Sequence, residues 1–286
     1  MYLSYEKDNT LFSKCIDLMD SIFPGIKKIA MFGMEYNARW DKISLPFVIK
    51  DKDEVIAHLG IIPMDVMLNN KHQRIAALHG ICVKESHRRK GLFDALMNES
   101  MSYIHQHFDA SVLFTDNYTL YKKYPFKFHK EYNFLYKADK SKQTTSGLRS
   151  LDIHHPSDLN LIRELITNRL SLSNKFSVMD GFTLFILYNF NKKIFYSDEY
   201  DLIILYEIVS SNLHVKDILI KNQLPIEVII NLIPETFKQV IFEFIPDHFH
   251  ITDLEPIEAY PECGIMVSEN FLFNDDYFRF PEPYRC

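Results

Sequence analysis

His79-Gly80-Ile81-Cys82-Val83-Lys84-Glu85-Ser86-His87-Arg88-Arg89-Lys90-Gly91-Leu92-Phe93-Asp94-Ala95-Leu96-Met97 reads as an apolar strand ending at Val83, a basic turn over Arg88 to Lys90, and a helix opening at or near Gly91. The helix follows from Leu92, Ala95, Leu96, Met101 and Ile104, which return to one face at helical spacing as far as His107. A helix start leaves backbone N–H groups without intrahelical partners, at the positive end of the dipole. With three cations beside it, such a junction suits a pyrophosphate. The chain has only 8 glycines, too few for the glycine-rich loops of dinucleotide and P-loop folds, so Gly91 at this point stands out.

Working outward, Leu45 to Ile49, Val55 to Met67 and Arg74 to Val83 are β-rich runs joined by short polar connectors, Lys50-Asp51-Lys52-Asp53 and Asn69-Asn70-Lys71-His72. This spacing predicts an antiparallel meander leading into the junction. Thr10 to Phe23 carries Leu11, Phe12, Cys15, Ile16, Leu18, Met19 and Ile22 on one helical face. Beyond the junction, Ser111 to Thr115 predicts a strand, Leu120 to Tyr124 a brief helix, and Phe126 to Tyr136 one or two strands. Residues 139–149, DKSKQTTSGLR, form the expected linker between a domain at 1–138 and a second at 150–286. In that second part a helix at 156–170, strands at 193–196, 201–208 and 213–220, a helix at 226–233 and a strand at 239–244 repeat the order of the first.

Of the 286 residues 47% are apolar and 14% aromatic, enough to bury a core, and this excludes a mainly disordered chain. The net charge of −6 supplies no overall field for nucleic acid. Cys15, Cys82, Cys263 and Cys286 form no Cys-x-x-Cys pair, which argues against a disulfide framework or thiolate zinc site. His105 with His107, and His248 with His250, lack a third ligand at useful spacing, so no metal is expected. The start of the chain has no basic region followed by an apolar run, and no stretch reaches about 18 uninterrupted apolar residues. The expectation is a soluble, cytoplasmic protein with neither membrane nor nucleic-acid partner.

The junction resembles the acetyl-CoA loop of the GNAT (GCN5-related N-acetyltransferase) superfamily, written Gln/Arg-x-x-Gly-x-Gly/Ala, with Arg88 on the first position and Gly91 on the fourth. Phe93 stands on the sixth, where a small residue is usual. Leu120-Tyr121-Lys122-Lys123-Tyr124-Pro125-Phe126 is similar to the family's Tyr-x-x-x-Gly-Phe segment, with Pro125 in place of glycine. The resemblance implies an α+β GNAT fold, a mixed and mostly antiparallel sheet flanked by helices. It implies that Arg88, Arg89, Lys90, Gly91, Leu92, Phe93 and Asp94 hold the pyrophosphate of acetyl-CoA, that Ile81, Cys82 and Val83 pair with the pantetheine arm, and that Tyr121 protonates the departing thiolate. The whole-chain plan looks like tandem Eis-like acetyltransferases, whose second copy is degenerate. Here the matching segment, 213–225, has no glycine and no arginine pair, so one cofactor site is expected, with the second domain shaping the acceptor cleft.

An alkylammonium acceptor must lose a proton before it attacks. His79, two residues before Ile81 and expected on the same strand face, is one candidate base. The resemblance to Eis-like enzymes implies the terminal carboxylate, here that of Cys286, as another. Cys82 has no partner base and reads better as a small buried residue than as a nucleophile. The aromatic, lysine-rich stretch 118–130 is better explained by the tyrosine motif than by stacking on single-stranded nucleic acid. The expected activity is N-acetyl transfer from acetyl-CoA directly to a small-molecule or peptide amine. The alternative is a non-catalytic GNAT-fold protein that binds acyl-CoA or a partner, which Phe93 and Pro125 favour.

Overall fold

The computed structural model describes residues 3–143, 147–259 and 264–286, so residues 144–146 of the expected linker and Cys263 lie outside it. The chain opens with α1 (Leu11–Ile22), α2 (Ile26–Glu35) and α3 (Trp40–Ile43), followed by β1 (Leu45–Asp51), β2 (Glu54–Leu68) and β3 (Lys71–Val83). Next come α4 (Leu92–His107), β4 (Ala110–Thr115), a short 3-10 turn at Tyr118–Tyr121 where a brief helix was expected, β5 (Phe126–His129) and β6 (Glu131–Tyr136). The remainder contains β7 (Arg149–Leu151), α5 (Pro156–Asn168), β8 (Phe176–Val178), α6 (Phe182–Tyr188), β9 (Ile194–Ser197), β10 (Leu202–Val209) and β11 (Asn212–Ile220). It ends with α7 (Ile226–Asn231), β12 (Val240–Phe242), β13 (Leu254–Ala259) and β14 (Gly264–Ser268). Among the described residues no helix is long and apolar enough to cross a membrane.

β1, β2 and β3 form the expected antiparallel meander. Asn69 and Asn70, with φ of 50° and 62°, make the β2–β3 turn, and asparagine tolerates this left-handed pair better than branched residues do. The buried residues of α1, Leu11, Cys15, Ile16, Leu18 and Met19, cover one face of the sheet with Val55, Ile62 and Ile75. Leu96, Met97 and Ile104 of α4 cover the other with Phe47, Leu59, Ile61 and Leu78. The sheet therefore lies between helical layers, as its two-sided apolar pattern requires.

Two sheets follow one plan. In the first, β3 leads through α4 to β4, which pairs parallel to β3, and in the second β11 leads through α7 to β12, parallel to β11. In the first sheet the strand beyond β4 is β14, followed by β5; in the second the strand beyond β12 is β6, followed by β13. β6 follows β5 in sequence yet sits in the second sheet, and β14 follows β13 yet completes the first. The sheets have exchanged equivalent strands. The division between sheets thus does not follow the expected boundary at 139–149, since β6 lies before it in the second sheet while β8 and β14 lie beyond it in the first. The expected linker is itself partly tied down, with Lys140 and Phe237 exchanging backbone hydrogen bonds of 2.8 and 3.1 Å.

The last residues pass between these layers. Phe278, Phe280 and Tyr284 are fully buried. The Tyr284 hydroxyl donates to Asp217 Oδ2 at 2.7 Å, and Arg169 Nη1 donates to the same carboxylate at 3.1 Å and to the Tyr284 oxygen at 2.7 Å. Arg279, also fully buried, lies 3.5 Å from the Glu243 carboxylate and donates to the Glu243 carbonyl at 3.3 Å. Removing one member of such a buried group strands a charge, at a cost of about 3–5 kcal/mol. Asp217→Ala is accordingly expected to lower the unfolding free energy by that amount in urea titration, and a loss under about 1 kcal/mol would show that the cluster does not anchor the tail.

Candidate active site

The strand-to-helix junction has the expected boundaries, with β3 ending at Val83 and α4 beginning at Leu92 after Gly91. Gly91 has φ of 76°, a left-handed conformation that glycine adopts without steric cost, and space is open where a Cβ would project. Among the described residues no protein acceptor takes the backbone N–H of Arg89, Lys90, Gly91, Leu92, Phe93 or Asp94; the first such bond is Ala95 N–H to Gly91 O at 3.0 Å. The side chains of Arg88, Arg89 and Lys90 are exposed and pair with no carboxylate among those residues, while Arg88 Nε donates to the Val83 carbonyl at 3.4 Å. Six free donors and three cations on one turn can grip a diphosphate.

Phe93 does not crowd these donors. Its ring packs edge-on against Tyr121 at 5.8 Å and Tyr124 at 6.1 Å. Asp94 accepts from the Tyr124 hydroxyl at 2.7 Å and pairs with Lys123, and these contacts hold its carboxyl below the usual carboxylate range, Lys123 contributing most. The helix start is thereby latched to the segment carrying Tyr121. Pro125, where the family has glycine, accepts the Glu269 N–H at 3.2 Å and leads into β5.

β3 and β4 are paired only from Ile75/Ala110 to Leu78/Leu113, then part. The parting opens a cleft of about 420 Å³ that brings together Leu78 to Ile81 on one side, Leu113 to Asn117 on the other, Trp40, Tyr121 and Cys286, with Phe23, Ile26 and Leu120 also on its wall. Lys84 N–H donates to Ile56 on β2, so alternation turns the polar backbone groups of Val83 away from β2. Tyr121 is buried and its hydroxyl makes no hydrogen bond among the described residues. Burial first, and the Asp116 carboxylate second, push its phenol up to about 12, so it carries its proton at neutral pH. Three of the sequence candidates, Tyr121, His79 and Cys286, thus share one cleft with Ile81.

The strand does not alternate as expected. Gly80 has φ of 55°, and the β2–β3 register shifts between His58 and Gly60, the mark of a bulge. The extra residue places Leu78, Ile81 and Val83 on the α4 side, whereas Cys82 packs in the opposite core and His79 stacks with Trp40 at 5.2 Å. His79 and Ile81 are therefore on opposite faces, a correction to the expectation that they share one. His79 Nε2 lies 2.8 Å from Ser44 Oγ, while its Nδ1 and Trp40 Nε1 are buried without hydrogen-bond partners among the described residues. His58, Ser44 and Trp40 escaped the sequence reading because nothing local links them to the motif.

The remaining candidates have other settings. Burial pushes the Cys82 thiol up to about 12, leaving no thiolate for nucleophilic attack at neutral pH. The Cys286 thiol is likewise pushed up to about 12 by burial. His105 and His107 lie in the last turn of α4, and His248 contacts the Ser171 carbonyl through Nδ1. Among the described residues no group of three or more His, Cys, Asp or Glu is placed to hold a metal ion.

Burial lowers His58 to about 4 and, with His58 as a second cause, holds His79 well below its ordinary value. Both are neutral in the native protein, whereas in the unfolded chain they bind protons below about pH 6.5. Stability from this source is complete above that pH and is lost as pH falls toward 4, by about 3 kcal/mol for His58 alone. Urea midpoints measured between pH 7.5 and 4.5 are expected to fall with acidity, and His58→Gln to flatten the fall; an unchanged slope would refute the assignment.

Residues 11–128 match the family described as acetyltransferase (GNAT) domain. Similar solved structures include a probable N-acyltransferase from Enterococcus faecalis V583, with TM-score 0.62 and 12% identity over 93% of this chain and 71% of that one. Eis1 from Mycobacterium abscessus gives TM-score 0.57 and 13% identity over 93% and 72%, and a GCN5-related N-acetyltransferase from Kribbella flavida gives 0.55 and 13% over 90% and 68%. At these identities the structures speak for the fold. No curated protein matches the sequence. The matched residues contain the junction, the parted strands and Tyr121, and the match assigns residues 11–128 to the GNAT acetyltransferase family.

Proposed function

We propose that the protein transfers an acetyl group from acetyl-CoA directly to an amine. The observation that carries this reading is the run of six unpartnered N–H groups from Arg89 to Asp94, tied by the contact of Phe93 with Tyr121 to the cleft that Ile81 and Tyr121 line. The diphosphate of the donor would lie on these amides with Arg88, Arg89 and Lys90 around it, and the pantetheine arm would pair with Ile81 to Val83 where β4 has turned away. The thioester carbonyl would then stand beside the bulge at Gly80, where strand amides stabilise the negative charge that develops on its oxygen.

The amine attacks that carbonyl, the C–S bond breaks, and Tyr121 donates to the departing sulfur. A phenol pushed up to about 12 is a weaker acid than a thiol of pKa roughly 8–9, so it acts as a hydrogen-bond donor while the bond lengthens and yields its proton late. His79 and Cys286 both line the cleft, which supports them as the candidate acceptors of the amine's proton. The second sheet would close the acceptor side through the tail that ends at Cys286. Among the described residues Asp116 is the one side-chain carboxylate on the cleft wall, beside Phe23, Ile26, Trp40 and Leu120, which suits a cationic small-molecule or peptide amine with an apolar body.

Isothermal titration is expected to show acetyl-CoA binding that is lost in the Arg88→Ala/Gly91→Asp double variant, because a carboxylate and a strained backbone replace the anion site. Unaltered affinity would defeat the assignment. Tyr121→Phe is expected to bind acetyl-CoA equally well and to lose about 10²-fold in turnover. Thiol release during incubation with acetyl-CoA and a panel of amines separates this reading from that of a binding module, which releases none above background.

A further inference from the structure

The edge of β2 that faces away from β3 is covered by β1 as far as Ile61 and by β8 from Val66 onward. Ile62, Pro63, Met64 and Asp65 face no strand on that side, and Pro63 has no N–H that would need a partner there. Arg163 of α5 and residues 180–184, at the start of α6, lie across this window and leave a cavity of about 210 Å³ against the strand. Ile43, the last residue of α3, lines this cavity, whereas Trp40, the first, lines the cleft. The two openings share no residue.

Arg163 is half-buried, with its guanidinium carbon 3.7 Å from the centre of the Phe182 ring. This stacking restrains the fork, and its N–H groups have no acceptor among the described residues. Two acids share the wall. Asp180 Oδ1 accepts the N–H of Gly181, itself a lining residue, at 2.6 Å, and Asp65 is exposed at the end of the window. Neither acid pairs with a cation among the described residues. Ile62, Met64 and Leu184, all buried, make the wall apolar elsewhere. An anion alone would meet two carboxylates here, and a cation alone would leave the guanidinium unpaired. A zwitterion satisfies both, and a guanidinium fork receives a carboxylate through two parallel hydrogen bonds. The volume lies below the roughly 300 Å³ at which sites for drug-sized ligands begin, so a nucleotide or coenzyme is too large.

We propose that this cavity binds a free α-amino acid with an apolar side chain. The carboxylate goes to Arg163, the ammonium to Asp180 and Asp65, and the side chain to the wall of Ile62, Met64 and Leu184. The inference is independent of the acetyl-transfer reading, because the cavity lies apart from the cleft and no group is transferred in it. α3 and β2 supply one side of the site and α5 and α6 the other, so a bound ligand ties the first sheet to the second part of the chain. A ligand that binds only the folded protein also raises its melting temperature.

Isothermal titration of the full-length protein with L-leucine is expected to show one saturable site, with a melting temperature that rises with leucine concentration. N-acetyl-L-leucine lacks the ammonium, L-leucinamide lacks the carboxylate and L-serine lacks the apolar body; each is expected to bind about tenfold more weakly or less. Arg163→Gln is expected to weaken leucine binding by about tenfold or more, and Asp180→Asn, on an exposed residue whose loss leaves the core intact, to weaken it several-fold. Acetyl-CoA affinity is expected to stay the same in both variants. The absence of saturable leucine binding overturns the inference, and so does N-acetyl-L-leucine binding as tightly as leucine. Leucine that binds Arg163→Gln as tightly as the wild type occupies another place, the acceptor side of the cleft included, and overturns it as well.

Discussion

Two parallel strands that stay paired for four residues and then part impose the central constraint on this molecule. Between Leu78/Leu113 and the ends of β3 and β4 the backbone groups facing the gap have no strand to pair with. A buried backbone group left unpaired costs about 1–3 kcal/mol, so such a parting persists only if its walls are otherwise held and something polar enters it. β2 holds one wall along the whole of β3, and β14 holds the other along β4. The exchange of strands between the sheets therefore bears directly on the cleft, since the strand fixing its far wall arrives from the other end of the chain.

The second sheet has the same parting and resolves it internally. β11 and β12 pair in parallel from Leu213/Val240 to Val215/Phe242, after which β11 continues to Ile220 paired with β10 on its other side. The tail bridges this gap, with Arg279 reaching the Glu243 carbonyl on one side and Tyr284 the Asp217 carboxylate on the other. Lys216, 3.0 Å from Glu282, adds a further tie. The second parting is thus filled by protein while the first opens to the surface. The helix after β11 is preceded by Pro225, which has no N–H, and carries no turn of three cations, so it lacks the run of donors and the charge of the first junction. The same tail continues to Cys286 in the first cleft, and the packing that closes one opening delivers a residue to the other.

What was legible in the sequence is what short-range chemistry encodes. The strand end at Val83, the turn of three cations, Gly91 and the face of α4 are all set within twenty residues. Tyr121 was legible through its spacing from that loop. The strand exchange was not, because β6 and β14 show apolar patterning that suits either sheet; only the single residue between β5 and β6 hints that the chain changes layer there. The bulge at Gly80 was equally hidden, since a glycine between apolar residues is compatible with an ordinary strand. That omission put His79 on the wrong face. The partners that define its setting, Trp40, Ser44 and His58, come from α3, the residue after α3, and β2.

Gly80 serves two purposes that pull against each other. Its positive φ lets the strand take the extra residue that turns Ile81 toward α4, and a side chain there would meet the Met19 sulfur at 2.5 Å and His58 Nδ1 at 3.2 Å. A glycine bulge is also entropically the loosest point of the strand, beside the place where the reacting carbonyl would need donors fixed to within a fraction of an ångström. The His58 hydrogen bond to the Gly80 carbonyl supplies the missing stiffness, and burial strengthens it by excluding competing water. A lysine or arginine donor at this position would bring an unpaired charge into the core; a neutral imidazole donates the same bond without one. The cost appears as the depressed basicity of His58, and with it the acid sensitivity of the fold.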